Sequence, residues 1–460
     1  MVKRLRVLAV AYACNPDRGS EFGVGWGWVK AISENHDVTV ITADFNASDI
    51  ERYRRDRLDC GQLNPRFIYV KNRAWHYRPH GLWLAIENSA AKPIMNLAYQ
   101  GWLHSALQIA RFEIEQNPYD LVHLITYVGW RFPGKFYQLG IPFVWGPIGG
   151  LMNMPRRLFP ALGIKGAIYY SGRNLINTLQ VHMLRGPRKA LRQSHGAVIA
   201  ATPDIRAALL RHFDAPSQII CEVGLPELSP GRTRRRMNDE PLRICWSGLH
   251  IPRKALPLLL HAVARLPPDL RYRLEILGDG PCNRAWRRLS KRLGVGQNCH
   301  WRGQLPRELA LEVMKGCHVF VITSLEELTS TVAVEAIALG LPIVCLDHCG
   351  FADLVTSSCG IKIPTVSVRT IVAGLADALI SLYNNEDLRN KLAQGALVRS
   401  QAYSWRSKMT ALEEVYRTAI GTGERSMSSI SAGGSNPVSH VAQSAARWPC
   451  IASELEHRSE

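Results

Sequence analysis

Two glutamates with seven residues between them, Glu327 and Glu335, sit in the stretch Ser324–Gly340, which reads as a strand end, a loop and the start of a helix. Glu335 lies one turn beyond Thr331, and a carboxylate there can accept two hydrogen bonds from a vicinal diol such as a ribose. Glu327, in the loop, is placed to bind sugar hydroxyls. Thr329, Ser330 and Thr331 are expected to cap the helix and to aim hydroxyl and N–H groups at an anion. A capped helix with two solvated glutamates would show the same pattern. Against it, Glu335 is surrounded by Val332, Val334, Ala336, Ile337 and Ala338, and a buried carboxylate needs a partner.

A second group, Arg253 and Lys254, follows the run Leu242–Ser247 at another strand-to-helix junction. Two fixed cations there stabilise a departing nucleoside diphosphate more in the transition state than in the ground state, although such a pair alone is usually exposed charge. Gly278, in Leu277-Gly-Asp-Gly-Pro281, either lets backbone approach a ligand or makes a tight turn. Gly19, Ser20 and Glu21 follow the first strand without the G-x-G-x-x-G order of a dinucleotide site, yet their N–H groups could meet a phosphate or sugar. Cys345, His348 and Cys349 lack a second ligand pair, so they read as core residues, and no metal site is expected. The eleven scattered cysteines read as reduced thiols.

These residues need a scaffold of strand-end loops. At 460 residues the chain exceeds one core, which stops growing near ~250 residues. Short β-branched runs alternate with helical patterns at Leu5–Ala13, Val38–Thr42, Phe67–Val70, Leu121–Leu124, Phe143–Trp145 and Ala197–Ala200. The rhythm restarts at Leu242–Ser247, Leu274–Leu277, His318–Thr323 and Pro342–Leu346. Two α/β units with parallel, doubly covered sheets follow. The expected boundaries are an N-terminal domain over 1–224, a linker over 225–241, a C-terminal domain over 242–403, an amphipathic helix over 404–420 and a disordered tail over 421–460. The first residues read as a strand, and no run reaches the roughly 20 apolar residues of a membrane span.

The formal charge of +18 admits nucleic acid, an anionic membrane or anionic small substrates as partners. No nucleic-acid module accompanies it. From Gly149 to His195 there are eight Lys and Arg and no Asp or Glu, interleaved with residues such as Ile168, Tyr169 and Leu175. A bilayer surface and a plain solvated basic face both account for this.

Taken together, the motifs resemble glycosyltransferase family 4, from about Leu5 to Ile420. The likeness rests on Glu327 and Glu335 as E-x7-E, Arg253-Lys254, Gly278-Asp-Gly-Pro281, Trp301-Arg-Gly-Gln-Leu305, Glu335-Ala-Ile-Ala-Leu-Gly-Leu-Pro342 and Gly19-Ser-Glu21. The resemblance implies a GT-B fold: two Rossmann-like domains facing each other across a cleft, with a C-terminal helix crossing back to the N-terminal domain. It implies that Glu335 holds the donor ribose, Glu327 the transferred sugar, and Arg253 and Lys254 the diphosphate. The stretch near Gly303 would touch the base, and Gly19–Glu21 would close over the donor. Family members retain anomeric configuration and need no divalent metal.

This sequence departs from the family pattern at three places. Leu249 follows Gly248 where many members have arginine. Of the histidines many members have near the acceptor only His123 is present, and a lone histidine at a strand end is more often structural than catalytic. Leu328-Thr-Ser-Thr331 replaces glycines and should cap the helix well. The expected activity is a retaining hexosyl transfer from a UDP- or GDP-linked sugar, with no cofactor, to a saccharide or lipid-linked acceptor in surface polysaccharide or glycolipid synthesis. Its place would be the cytoplasm, peripheral on the inner membrane face. An epimerase or phosphorylase on this scaffold, or a non-enzymatic basic surface-binding protein, are the rival readings.

Overall fold

Aliphatic and β-branched runs become the strands of two wholly parallel sheets in a computed structural model, which describes residues 3–56, 65–71, 92–125, 127, 129–225, 233–237 and 239–431. Met1–Gly423 forms one compact unit and Glu424–Glu460 a second. The first sheet contains β1 (Arg6–Val10), β2 (Asp37–Ala43), β3 (Arg66–Val70), β4 (Leu121–Leu124), β5 (Phe143–Ile148), β6 (Val198–Ala200) and β7 (Gln218–Ile219), in the order β3-β2-β1-β4-β5-β6-β7. The second contains β8 (Leu242–Ser247), β9 (Tyr272–Leu277), β10 (Cys299–Gly303), β11 (Val319–Ile322), β12 (Ile343–Leu346) and β13 (Gly360–Ile363), in the order β10-β9-β8-β11-β12-β13. Every residue of β4, β5, β11 and β12 is buried, as expected of strands covered on both faces.

Each sheet reverses its direction of growth between its first and fourth strands: β1 lies beside β4, and β8 beside β11. Loops leaving such neighbours diverge to opposite faces and open a crevice. Arg253 and Lys254 follow β8, and Glu327 follows β11, so the sequence places them at this point.

The cores exchange segments. Met409, Leu412, Val415 and Tyr416 of the crossing helix Trp405–Ser431 pack with Trp28, Val29 and Ile32 under the first sheet. In return, Met154, Leu158, Leu162 and Tyr170 join the core of the second sheet. The 1–224 segment expected to stand as one domain therefore lends part of its chain to the other. The crossing helix continues past Ile420 to Ser431, where a tail was expected from 421; residues 432–460 lie outside the described residues. Linker positions 226–232 and 238 do as well. Strands β7, β10 and β13 were not anticipated. None of the described helices is long and apolar enough to cross a membrane.

Trp405 seats the crossing helix against the first half, beside Trp28. A Cβ added at Gly27 would lie 2.3 Å from its ring, and one at Gly224 2.4 Å. Gly27 is inside the helix Ser20–Asn35, where alanine ordinarily adds up to about 1 kcal/mol of helix propensity. Overpacking by comparison costs about 1–3 kcal/mol. Gly27→Ala should therefore lower the unfolding free energy in denaturant titration, and Trp405→Phe in the same chain should recover part of the loss. A stabilised Gly27→Ala variant would mean that the ring is free to move.

Candidate active site

Glu327 is the centre of the candidate site. Its Oε2 accepts from Lys254 Nζ in a short contact and lies 3.4 Å from Arg253 Nη1. Burial would raise this carboxyl, but the charges of Lys254 and Arg253 outweigh it and hold it below the usual carboxylate range. The two strand-end loops are laced together. Arg253 Nη1 donates to the Glu326 carbonyl at 3.0 Å, and Leu325 N donates to the Arg253 carbonyl at 2.7 Å. Thr323 Oγ1 donates to the Lys254 carbonyl at 2.7 Å and accepts from Trp246 Nε1 at 3.0 Å. These bonds fix both cations against the carboxylate without fixing a ligand.

Glu335 is buried on the helix Thr331–Ala338, and its required partner is Arg307, whose Nε donates to Oε1 at 2.8 Å. Burial raises this carboxyl, and Arg307 only partly offsets the shift. The expected hydroxyl caps do not form. Ser330 is the N-cap residue, but its side chain makes no capping bond, and its carbonyl accepts from Ala333 and Val334. Thr331 is already inside the helix, and Thr329 uses its N–H elsewhere, donating to Glu222 Oε1 at 2.8 Å.

Gly278, with φ +105°, brings its loop so close to the neighbouring one that a Cβ would lie 2.1 Å from the Gly248 carbonyl oxygen. Its close approach is thus to protein backbone. Gly278 N donates to the Gly303 carbonyl at 2.8 Å, and a side chain at Gly303, φ +69°, would meet open space. Gly19 is the N-cap and Glu21 lies in the first turn of the helix Ser20–Asn35, whose Val24 packs against the core of the C-terminal half. The Ser20 side chain lies outside the described residues. His123 is not at the site: it is fully buried on β4, with Nδ1 2.9 Å from Tyr416 Oη and Nε2 3.0 Å from the Gly146 carbonyl. Burial lowers its pKa to about 4, so it is a neutral strut between sheet and crossing helix and not an acceptor residue. The described cysteines are all free, and Cys345 is buried.

A cavity of about 330 Å³ opens beside Glu327 and Arg253. Its far wall is Tyr169, Tyr170 and Arg173, with Asp204 and His348 at its flanks. Arg173 pairs with Glu326 across it. Glu327 and Arg253 are in its lining; Glu335, Lys254, Gly278 and Gly303 are not. Leu328, in place of a family glycine, packs into the first sheet's core and would clash with any side chain at Gly149. Sequence reasoning missed Arg307, Glu222, Glu326 and the wall residues as site components. Only Glu326, adjacent to Glu327, carried a local signal.

A model of "Glycosyl transferases group 1" matches residues 232–398. The chain is similar to the D-inositol 3-phosphate glycosyltransferase of Corynebacterium glutamicum, 26% identical over 412 residues covering 79% of this chain and 93% of that one. It is also similar to the enzyme of that name from Corynebacterium efficiens, 27% identical over 47% of this chain but only 55% of the relative's length. Sucrose-phosphate synthase from Thermosynechococcus elongatus shares the fold, with TM-score 0.59 and 16% identity over 94% of this chain and 100% of that one. The resemblance to glycosyltransferase family 4 and the GT-B architecture are both borne out.

Glu222 ties this site to the linker. It is buried, and burial raises its carboxyl to about 7 against the hydrogen bond from Thr329 and the charge of Lys408. Lys408, also buried, reaches from the crossing helix to the Cys221 carbonyl at 2.7 Å. A folded pKa near 7 lies above the ordinary 4.5, so the folded chain keeps a proton that the unfolded chain releases. Stability from this group is therefore lost as pH rises from about 4.5 through about 7. Glu222→Gln keeps an oxygen for Thr329 N–H and cannot ionise. Its unfolding free energy relative to wild type should climb across that window; a difference independent of pH would show that Glu222 is not held protonated.

Proposed function

The chain carries a group 1 glycosyltransferase domain in a GT-B fold, and from that premise we propose that it is a retaining hexosyltransferase using a UDP- or GDP-linked sugar without a divalent metal. The observation that carries this reading is the cluster of Arg253, Lys254 and Glu327 at the β8/β11 crevice, beside a cavity that can take an acceptor. In the proposed reaction the C1–O bond to the diphosphate breaks and its electron pair leaves with the phosphate. Arg253 and Lys254 stabilise the charge that develops there, as a metal would elsewhere. The acceptor hydroxyl oxygen bonds to C1 from the same face and gives up its proton to the departing phosphate. Glu327, released from the cations by the diphosphate, binds hydroxyls of the transferred sugar. Glu335 takes the ribose diol, Gly303 borders the base, and the Gly19–Glu21 turn covers the donor.

For the acceptor we propose a saccharide or lipid-linked saccharide in surface polysaccharide or glycolipid synthesis at the inner face of the cytoplasmic membrane. Support comes from the acid-free, basic and apolar 149–195 segment, part of which lines the cavity. Inositol 3-phosphate, which appears in the relatives' enzyme name, belongs in the same acceptor assay.

Calorimetry with UDP and GDP in the absence of divalent metal should show tight binding of one nucleotide. Glu335→Ala should weaken it at least about tenfold, or ~1.4 kcal/mol. If neither nucleotide binds the folded protein, the transferase reading fails and a non-enzymatic binding protein takes its place. Product analysis separates the other rivals, since an epimerase needs no acceptor and a phosphorylase consumes phosphate.

A further inference from the structure

The helix Gly163–Met183 turns much of its aliphatic surface outward. Its inward face buries Tyr170 and Val181 but is otherwise held by polar side chains. Asn177, 1% exposed, donates to the Leu151 carbonyl at 3.0 Å and to Asn153 Oδ1 at 2.8 Å. Asn174 exchanges two bonds with the Met154 backbone, at 3.1 and 2.8 Å, and Gln180 accepts from Arg131. These bonds tie the helix to the loop that forms the cavity rim.

Its outward face is aliphatic. Ile164 is 81% exposed, Ile168 69%, Leu175 61%, Leu179 50% and Met183 73%. Steps of four, seven, four and four residues put all five on one stripe. Scattered exposed aliphatics need no explanation, but five on one side of a helix do, even with Ser171, Gly172 and His182 exposed among them. Lys165 lies within it and the following helix, Arg185–Gln193, adds exposed Arg185, Lys189 and Arg192. Between 149 and 195 there is no acidic residue.

We propose that this face docks on an anionic lipid bilayer. The aliphatic ridge would insert at the headgroup boundary, with the cations on the lipid phosphates. Charge argues against a second copy as the occupant, because a two-fold contact would set the same cations against each other. The inference deepens the proposed transferase reading and rests on it for the acceptor. Tyr169, Tyr170 and Arg173 of this helix face the cavity, so a docked surface lies beside the acceptor opening and a lipid-linked acceptor need not leave the membrane.

The full chain should cosediment with vesicles of mixed phosphatidylglycerol and phosphatidylcholine, should stay in solution with pure phosphatidylcholine, and should bind less as salt rises. Ile168→Glu/Leu175→Glu and Lys189→Glu/Arg192→Glu should each lower the bound fraction at least about tenfold while leaving calorimetric UDP or GDP binding unchanged. The proposal is overturned by wild type that ignores the anionic vesicles or by variants that pellet like wild type. Sedimentation of wild type as a dimer that Ile168→Glu/Leu175→Glu dissociates would also overturn it. A chain that binds nucleotide but not vesicles loses the docking inference alone. One that binds vesicles but no nucleotide loses the transferase reading alone.

Discussion

A carboxylate held against two cations at the meeting of two strand ends is the constraint on which the rest depends. None of Glu327, Arg253 and Lys254 can sit at the half-buried mouth of β8 and β11 without the others, since an unpaired charge there carries a desolvation cost of several kcal/mol. The surrounding bonds therefore run between the loops instead of within them: Leu325 to Arg253, Thr323 to Lys254, Trp246 to Thr323. The carboxylate is paired with both cations. In the proposed reaction a diphosphate supplies the anions that Glu327 had been supplying, and the carboxylate becomes available to the sugar. Binding would thus replace one satisfied charge set by another, which keeps the site pre-organised in both states.

That charged set must be positioned between two sheets that do not touch edge to edge. Exchange of segments solves this. Residues 154–170 enter the core of the second sheet, and the crossing helix enters that of the first. Leu328 leaves the Glu327 loop for the first sheet's core, Arg157 Nη2 reaches Thr365 Oγ1 at 3.0 Å, and Leu225 N bonds the Tyr403 carbonyl at 2.9 Å. Glu222 connects the last of these to the first, because the residue next to Leu328 is Thr329, whose N–H it receives. A change in the angle between the halves would be felt at the loop that carries Glu327.

What could be read in the sequence follows from how local its cause is. β4 and β8 were legible to the residue, because a strand covered on both faces is mostly apolar, with only His123 in the first and Arg243 and Ser247 in the second departing from that. β7 has two residues, and β10 is Cys-His-Trp-Arg-Gly, so neither carries that pattern. Glu335's need for a partner was evident from its apolar neighbours, yet nothing near it pointed to Arg307, 28 residues earlier. The capping role expected of Thr329 failed because the helix begins later, with Ser330 as its N-cap, and the Thr329 N–H goes to a glutamate 107 residues away. His123, a lone histidine at a strand end, already read more as structural than catalytic, but its partner Tyr416, 293 positions on, was not legible. The motif residues were visible; the residues that hold them were not.

Charge is unevenly distributed along the chain. A formal +18 spread evenly would be only a matter of solubility, but the acid-free run lies in one segment, and that segment spans the cavity wall and the outer stripe. At 21 residues the helix is about 31 Å long. Its polar residues were not available to solvate the outside, because Asn174, Asn177 and Gln180 are needed to hold the 151–154 rim and Arg131. Had the outside been meant only for water, any polar side chains would have served there at no cost to that inner face. In the proposed docking, aliphatics of that size, in that register and with no acidic residue among them, meet a lipid surface rather than the fold.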